Sequence, residues 1–128
     1  VDLVDTAVHT VRRVMESAVW QRATASRQRL VEVPFQTLLA SDGASSSQLP
    51  TLLRGVIDLV FLEERGWVVV DYKTDRVVPA TIPALTEHYA PQVRTYAEVW
   101  QDLTGRTVSE AGLFFTHPNC YVPVGLFS

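Results

Sequence analysis

Gly55-Val-Ile-Asp58-Leu-Val-Phe-Leu62 is followed by Glu63-Glu64-Arg65-Gly66 and then by Trp67-Val-Val-Val-Asp71-Tyr72-Lys73. Two apolar, β-branched runs flank a short polar stretch that ends in glycine, which predicts a β-hairpin. Each predicted strand carries one aspartate in apolar company, and a carboxylate among valines is costly unless something compensates for it. Asp71 and Lys73 are two residues apart, so the pleat sets them on one face while Tyr72 points to the other. Closing the hairpin brings Asp58 beside them.

Two carboxylates and an ammonium around one point are the equipment for holding Mg²⁺ and for metal-assisted phosphodiester hydrolysis. The same residues admit a plainer reading. An aspartate at a strand end is often a turn former, and Asp71–Lys73 reads equally as an ordinary ion pair on one strand face. A lone Asp-x-Lys does not decide between them.

The wider pattern adds weight to the first reading. Glu32-Val-Pro-Phe35, Gly55-Val-Ile-Asp58, Asp71-Tyr-Lys-Thr-Asp75 and Gln92-Val-Arg-Thr-Tyr96 occur in this order. Together they resemble the PD-(D/E)xK nucleases, specifically the RecB-like branch of AddA-type helicase-nucleases, over roughly residues 16 to 115. The resemblance implies an α/β fold with a restriction-endonuclease-like core, a mixed central β-sheet flanked by helices. It also implies a deoxyribonuclease in which Asp58, Asp71 and the Tyr72 carbonyl bind Mg²⁺ (or Mn²⁺) and Lys73 orients or activates a water. Glu32, Gln92 and Tyr96 are the implied supporting residues. Implied partners are DNA, helicase domains of the same parent chain and a partner subunit, in double-strand-break repair and recombination. The alternative is a nuclease-fold domain that binds DNA or a partner without cutting.

The whole chain bounds these readings. At 128 residues, 47% hydrophobic and 20% charged, it reads as one globular domain. No apolar run is long enough to span a membrane and no signal peptide is apparent, so a cytoplasmic enzyme is the default expectation. Cys120 is the only cysteine, which excludes an internal disulfide and a cysteine-rich cluster. No P-loop signature occurs, so these residues hold no ATP-hydrolysing motor. The first residue is Val1, and residues 1–128 are expected to be a single nuclease domain from the C-terminal part of a longer helicase-nuclease, without its N-terminal portion. A net charge of −3 is poor for a self-sufficient nucleic-acid binder, so other domains are expected to supply most DNA affinity.

In chain order, residues 4 to 24 predict one amphipathic helix, with Val8, Val11, Val14 or Met15, Val19 and Trp20 near helical spacing. Arg22, Arg27 and Arg29 belong to the one basic region, which reads as a solvated face or as a phosphate-contacting edge; Arg54 is a further DNA-binding candidate. His9 is not taken as a metal ligand, because the metal histidine of the resembled family sits in a glycine-rich segment farther upstream. Arg29 to Leu38 predicts a strand whose Pro34 suggests an edge or a bulge. Ser41 to Pro50 predicts a flexible polar loop. Gly55 permits a close approach by backbone or phosphate, or marks a bulge. Asp75 reads as a turn or cap residue. Pro79 and Pro83 are expected to keep their segment out of helix, and residues 87 to 103 to form a helix with Pro91 in its first turn, ending at Gly105. Its expected buried stripe is Val93, Tyr96, Trp100 and Leu103. Val108 to His117 predicts a strand parallel to residues 67–73, His117-Pro118-Asn119 a turn, and Tyr121 to Phe127 an edge strand.

Overall fold

The β-branched runs on either side of Gly66 do pair into an antiparallel hairpin, with Glu63 opposite Gly66 across the turn. Gly66 sits at φ 142, where a side chain is strained, and a Cβ there would come within 2.5 Å of the Thr107 carbonyl oxygen. This hairpin forms the middle of the sheet in a computed structural model that describes residues 3–39 and 51–126. The chain runs α1 (Leu3–Glu16), α2 (Ala18–Ala25), β1 (Gln28–Leu39), β2 (Thr51–Glu63) and β3 (Gly66–Lys73). A 3₁₀ turn (Pro79–Thr81), α3 (Ile82–Thr104), β4 (Val108–Phe115) and β5 (Cys120–Val124) complete it. The five strands lie in chain order across one sheet, with β3 and β4 parallel and every other pair antiparallel.

The parallel pair arises from α3, which returns the chain across one face of the sheet. Val93, Ala97 and Trp100 of α3 pack there on Val69, Leu113 and Phe115, and Trp100 meets Trp67 edge-to-face at 5.3 Å. The opposite face buries Leu59, Phe61, Val68, Val70 and Phe114 under Val19 and Ala23 of α2. Each fully buried aliphatic or aromatic side chain stabilises the fold by about 1.5–3 kcal/mol relative to its exposed state. That burial offsets the cost of setting a few polar groups inside. The sheet flanked by helices is the α/β architecture the sequence implied, with β1 carrying Pro34 as an outer strand and β5 carrying Pro123 as the other.

Several sequence expectations change. The expected single helix over residues 4–24 is two helices. Ser17 leaves helical geometry at ψ 153, and its Oγ accepts the Trp20 amide at 3.2 Å and thereby caps α2. A serine that satisfies a free helix-end amide competes with helix continuation. The apolar stripe of α1 is not buried: Val8, Val11 and Met15 are each more than half exposed. α3 begins at Ile82, earlier than expected, so Pro83 lies in its first turn and Pro91 lies inside it. Its stripe uses Ala90, Val93, Ala97 and Trp100, while Leu103 is exposed. Gly105 closes the helix in the left-handed region, as expected. β2 starts at Thr51, because β1 pairs with it as far as Leu39. The loop expected at Ser41–Pro50 lies outside the described residues, as does Phe127 of the last strand.

An irregularity in β2 interrupts this regular sheet. Ile57, Val60 and Leu62 face the α3 side, whereas Leu59 and Phe61 face the other, so the alternation slips by one residue at Asp58. Opposite it, Glu32 has φ 50 and no partner in an otherwise continuous ladder. The β2–β3 ladder stops at Leu59–Val70, one step short of Asp58 and Asp71. The two strands separate where the two aspartates meet.

Candidate active site

The separation of β2 from β3 leaves backbone amides of β3 without a ladder partner, and Asp58 answers one of them. Its Oδ2 accepts the Tyr72 N–H at 2.7 Å. In a strand the N–H and C=O of one residue point to the same flank, so the Tyr72 carbonyl also faces the gap beyond the ladder's end. Asp58 is half-buried, and its pKa is raised to about 6. Burial is the main cause and the neighbouring Asp71 carboxylate adds to it, while the Tyr72 amide and Lys73 act the other way.

Asp71 is 6% exposed, near the end of β3. Lys73 Nζ lies 2.8 Å from Asp71 Oδ2, as the two-residue spacing predicts. The angle is unsuited to a hydrogen bond, so this buried oxygen has an ion-pair partner but no directional donor. The ammonium also donates to Gln92 Oε1 at 3.0 Å. Gln92 Nε2 in turn donates to the Tyr96 hydroxyl at 3.3 Å. Tyr96 packs edge-to-face on Phe35 at 5.2 Å, over Gly55. What comes close to Gly55 is therefore aromatic: a Cβ there would lie 2.8 Å from the Phe35 ring and 3.2 Å from the Tyr96 hydroxyl. Burial, with help from Asp71, raises the Tyr96 pKa.

Two residues that the sequence reading did not place here join the group. The Tyr89 ring lies under the lysine, 4.1 Å from Nζ to the centroid, and its hydroxyl donates to Asp75 Oδ2 at 3.2 Å. The signal was present: Tyr89, Gln92 and Tyr96 stand at i, i+3 and i+7, one face of a helix. Asp75 is thus an acceptor for that hydroxyl.

The remaining candidates divide. Glu32 is exposed and lines one cavity with Asp58, Tyr72, Met15 and Trp20, at the rim of the aspartate pair. Arg22 is not at the site. Its guanidinium forks onto Glu63 at 2.7 Å and Glu110 at 2.9 Å, by the hairpin turn and the start of β4, away from Lys73. Tyr121 adds a hydrogen bond to Glu110 at 2.7 Å. Hydrogen bonds to Glu63 and Glu110 raise the arginine pKa further, and two carboxylates leave that corner negative. Arg27, Arg29 and Arg54 are exposed, Arg29 with its guanidinium 4.9 Å from the Trp20 ring centroid. His9 is exposed on α1. Among the described residues no group of three or more His, Cys, Asp or Glu side chains is placed to hold a metal ion. A cation at this site therefore has two carboxylates, one backbone carbonyl and water to work with. That is an oxygen donor set, suited to a hard divalent ion. The undonated Asp71 oxygen and the raised Asp58 pKa both mark negative charge awaiting compensation, so the residues fit such an ion.

Comparison with known proteins agrees with this geometry. Residues 3–122 match the PD-(D/E)XK nuclease superfamily. The chain is 36% identical over 110 residues to an AddA-type ATP-dependent helicase/nuclease of Carboxydothermus hydrogenoformans, covering 82% of this chain and 9% of that protein. Proteins of the same name from Acetivibrio thermocellus and Lysinibacillus sphaericus are 35% and 36% identical over 112 and 114 residues. They cover 81% and 84% of this chain, which in turn spans 9% of each of them.

Proposed function

Because the chain belongs to the PD-(D/E)XK nuclease superfamily, we propose that it is a metal-dependent deoxyribonuclease domain, with Asp58, Asp71 and Lys73 at the reacting centre. The observation that carries the reading is the meeting of two carboxylates and one ammonium at the point where β2 parts from β3. Asp58, Asp71 and the Tyr72 carbonyl would hold Mg²⁺, with Mn²⁺ as a substitute. When bound, such an ion supplies positive charge to the scissile phosphate and acidifies a neighbouring water. Asp58 and Asp71 keep the pair of negative charges in place. Lys73 presents an ammonium to the phosphate oxygens on which charge grows during hydrolysis. Gln92 and Tyr96 hold that ammonium in a fixed direction, and Glu32 orders water at the rim.

The parent protein in this reading is a helicase-nuclease of double-strand-break repair, in which residues 1–128 form the nuclease domain. Helicase domains and a partner subunit would then deliver DNA to it. The similarity to proteins named ATP-dependent helicase/nuclease supports this. The first test is cleavage of linear DNA by the full-length polypeptide that carries these residues. Cutting is expected with Mg²⁺ or Mn²⁺ and none with a chelator. DNA bound but left intact in every divalent ion favours the non-cutting alternative.

Arg27, Arg29 and Arg54 are the proposed phosphate contacts, since each is exposed in an acidic chain. Changing them to glutamine is expected to flatten the salt dependence of DNA binding by roughly 0.9 in log–log slope for each phosphate no longer neutralised. Arg22→Gln is expected to leave the slope alone and lower thermal stability, because it strands Glu63 and Glu110. An unchanged slope in the triple variant returns the three arginines to a solvated surface.

A further inference from the structure

We propose that Tyr89 is a positioning residue for Lys73, its ring forming the third wall of a cage around the ammonium. This rests on the nuclease reading above and extends it to a residue outside the motifs that carry that reading. An ammonium has three donor hydrogens, and here it meets three partners: Asp71 Oδ2 at 2.8 Å, Gln92 Oε1 at 3.0 Å and the Tyr89 ring face at 4.1 Å. The first two are oxygens that take hydrogen bonds or charge. The third attracts the cation through the negative face of the ring without offering a lone pair. It covers one flank of the lysine and leaves a hydrogen free to turn to an incoming phosphate oxygen.

The ring is itself held in place. It packs against the core beside α3, His88 meets it edge-on at 4.9 Å, and its hydroxyl is tied to Asp75 at 3.2 Å. Asp75 lies two residues after Lys73, so the exit of β3 anchors the ring that steadies the lysine. The lysine stem has four rotatable bonds, and a preset direction spares the reaction the search for one.

The test is steady-state cleavage of linear DNA by the full-length polypeptide carrying Tyr89→Phe, Tyr89→Leu or Tyr89→Met, with Lys73→Ala beside them and a melting temperature for each. Tyr89→Phe keeps the ring face and is expected to stay within about twofold of wild type, whereas Leu and Met are expected to lower kcat about tenfold with KM and Mg²⁺ affinity unchanged. Met fills the space of the ring more fully than Leu, so lost packing and lost ring face are told apart. Wild-type rates in the Leu and Met variants, with Lys73→Ala inactive, overturn the role of Tyr89 and leave the lysine mechanism standing. A Phe variant as impaired as Leu, a loss confined to KM, or a fall in melting temperature that accounts for the lost activity overturns it too. Wild-type cutting by Lys73→Ala instead refutes the nuclease assignment on which the proposal rests.

Discussion

Asp71→Asn is expected to abolish DNA cleavage, by on the order of a thousandfold or more, through loss of the bound cation. The substitution keeps the shape of the side chain and removes its charge. Asp71 is almost wholly buried, with one oxygen facing no directional donor, so its negative charge is committed to the site and not to solvent. With one carboxylate gone, Asp58 and the Tyr72 carbonyl are too few protein ligands for a hard divalent ion to stay against water. Titration calorimetry with Mg²⁺ or Mn²⁺ reads this directly, run on the same preparations as the cleavage assay. The fold is expected to survive, since Lys73 keeps its hydrogen bond to Gln92 and its contact with Tyr89. Metal affinity equal to wild type in the variant would sink the site assignment.

Lys73→Ala is expected to fail by a different route. Cleavage falls on the order of a hundredfold or more, about 2.7 kcal/mol of transition-state stabilisation, while metal and DNA binding stay near wild type. If the lysine served only to neutralise Asp71, its removal would leave the cleavage step alone. Coulomb's law adds a sharper expectation. Taking a positive charge from 2.8 Å beside Asp71 leaves metal affinity unchanged or higher, never lower. The two variants therefore separate holding the ion from stabilising charge on the phosphate. A Lys73→Ala protein that cuts normally would refute the mechanism.

The reacting trio was legible because everything that places it is local. A period of two fixes Asp71 and Lys73 on one face, and a two-residue turn at Glu64-Arg65 fixes which residues of β2 come opposite. Gln92 and Tyr96 were legible for the same reason, one helical turn apart. The two-helix start was not. Ser17 between Glu16 and Ala18 looks like any tolerated helix serine until its oxygen is seen on the Trp20 amide. Pro83 and Pro91 misled about the start of α3, because a proline is weighed against local propensity, and tertiary packing of Ala90, Val93 and Ala97 outweighed it.

By itself, then, the sequence determined the hairpin, the parallel crossover, the pair of aspartates with their lysine, and the absence of any cysteine-cluster or P-loop chemistry. These come from alternation, spacing and composition, which need no knowledge of distant partners. Only the tertiary structure decided the fates that hang on residues far apart in the chain. Arg22 became a structural ion-pair centre because Glu63 and Glu110, 41 and 88 positions away, converge on it. Tyr89 came under Lys73 because α3 crosses the end of β3. Asp58 reached the Tyr72 amide because β2 slips its alternation and leaves β3 at that residue, a bend no local propensity encodes.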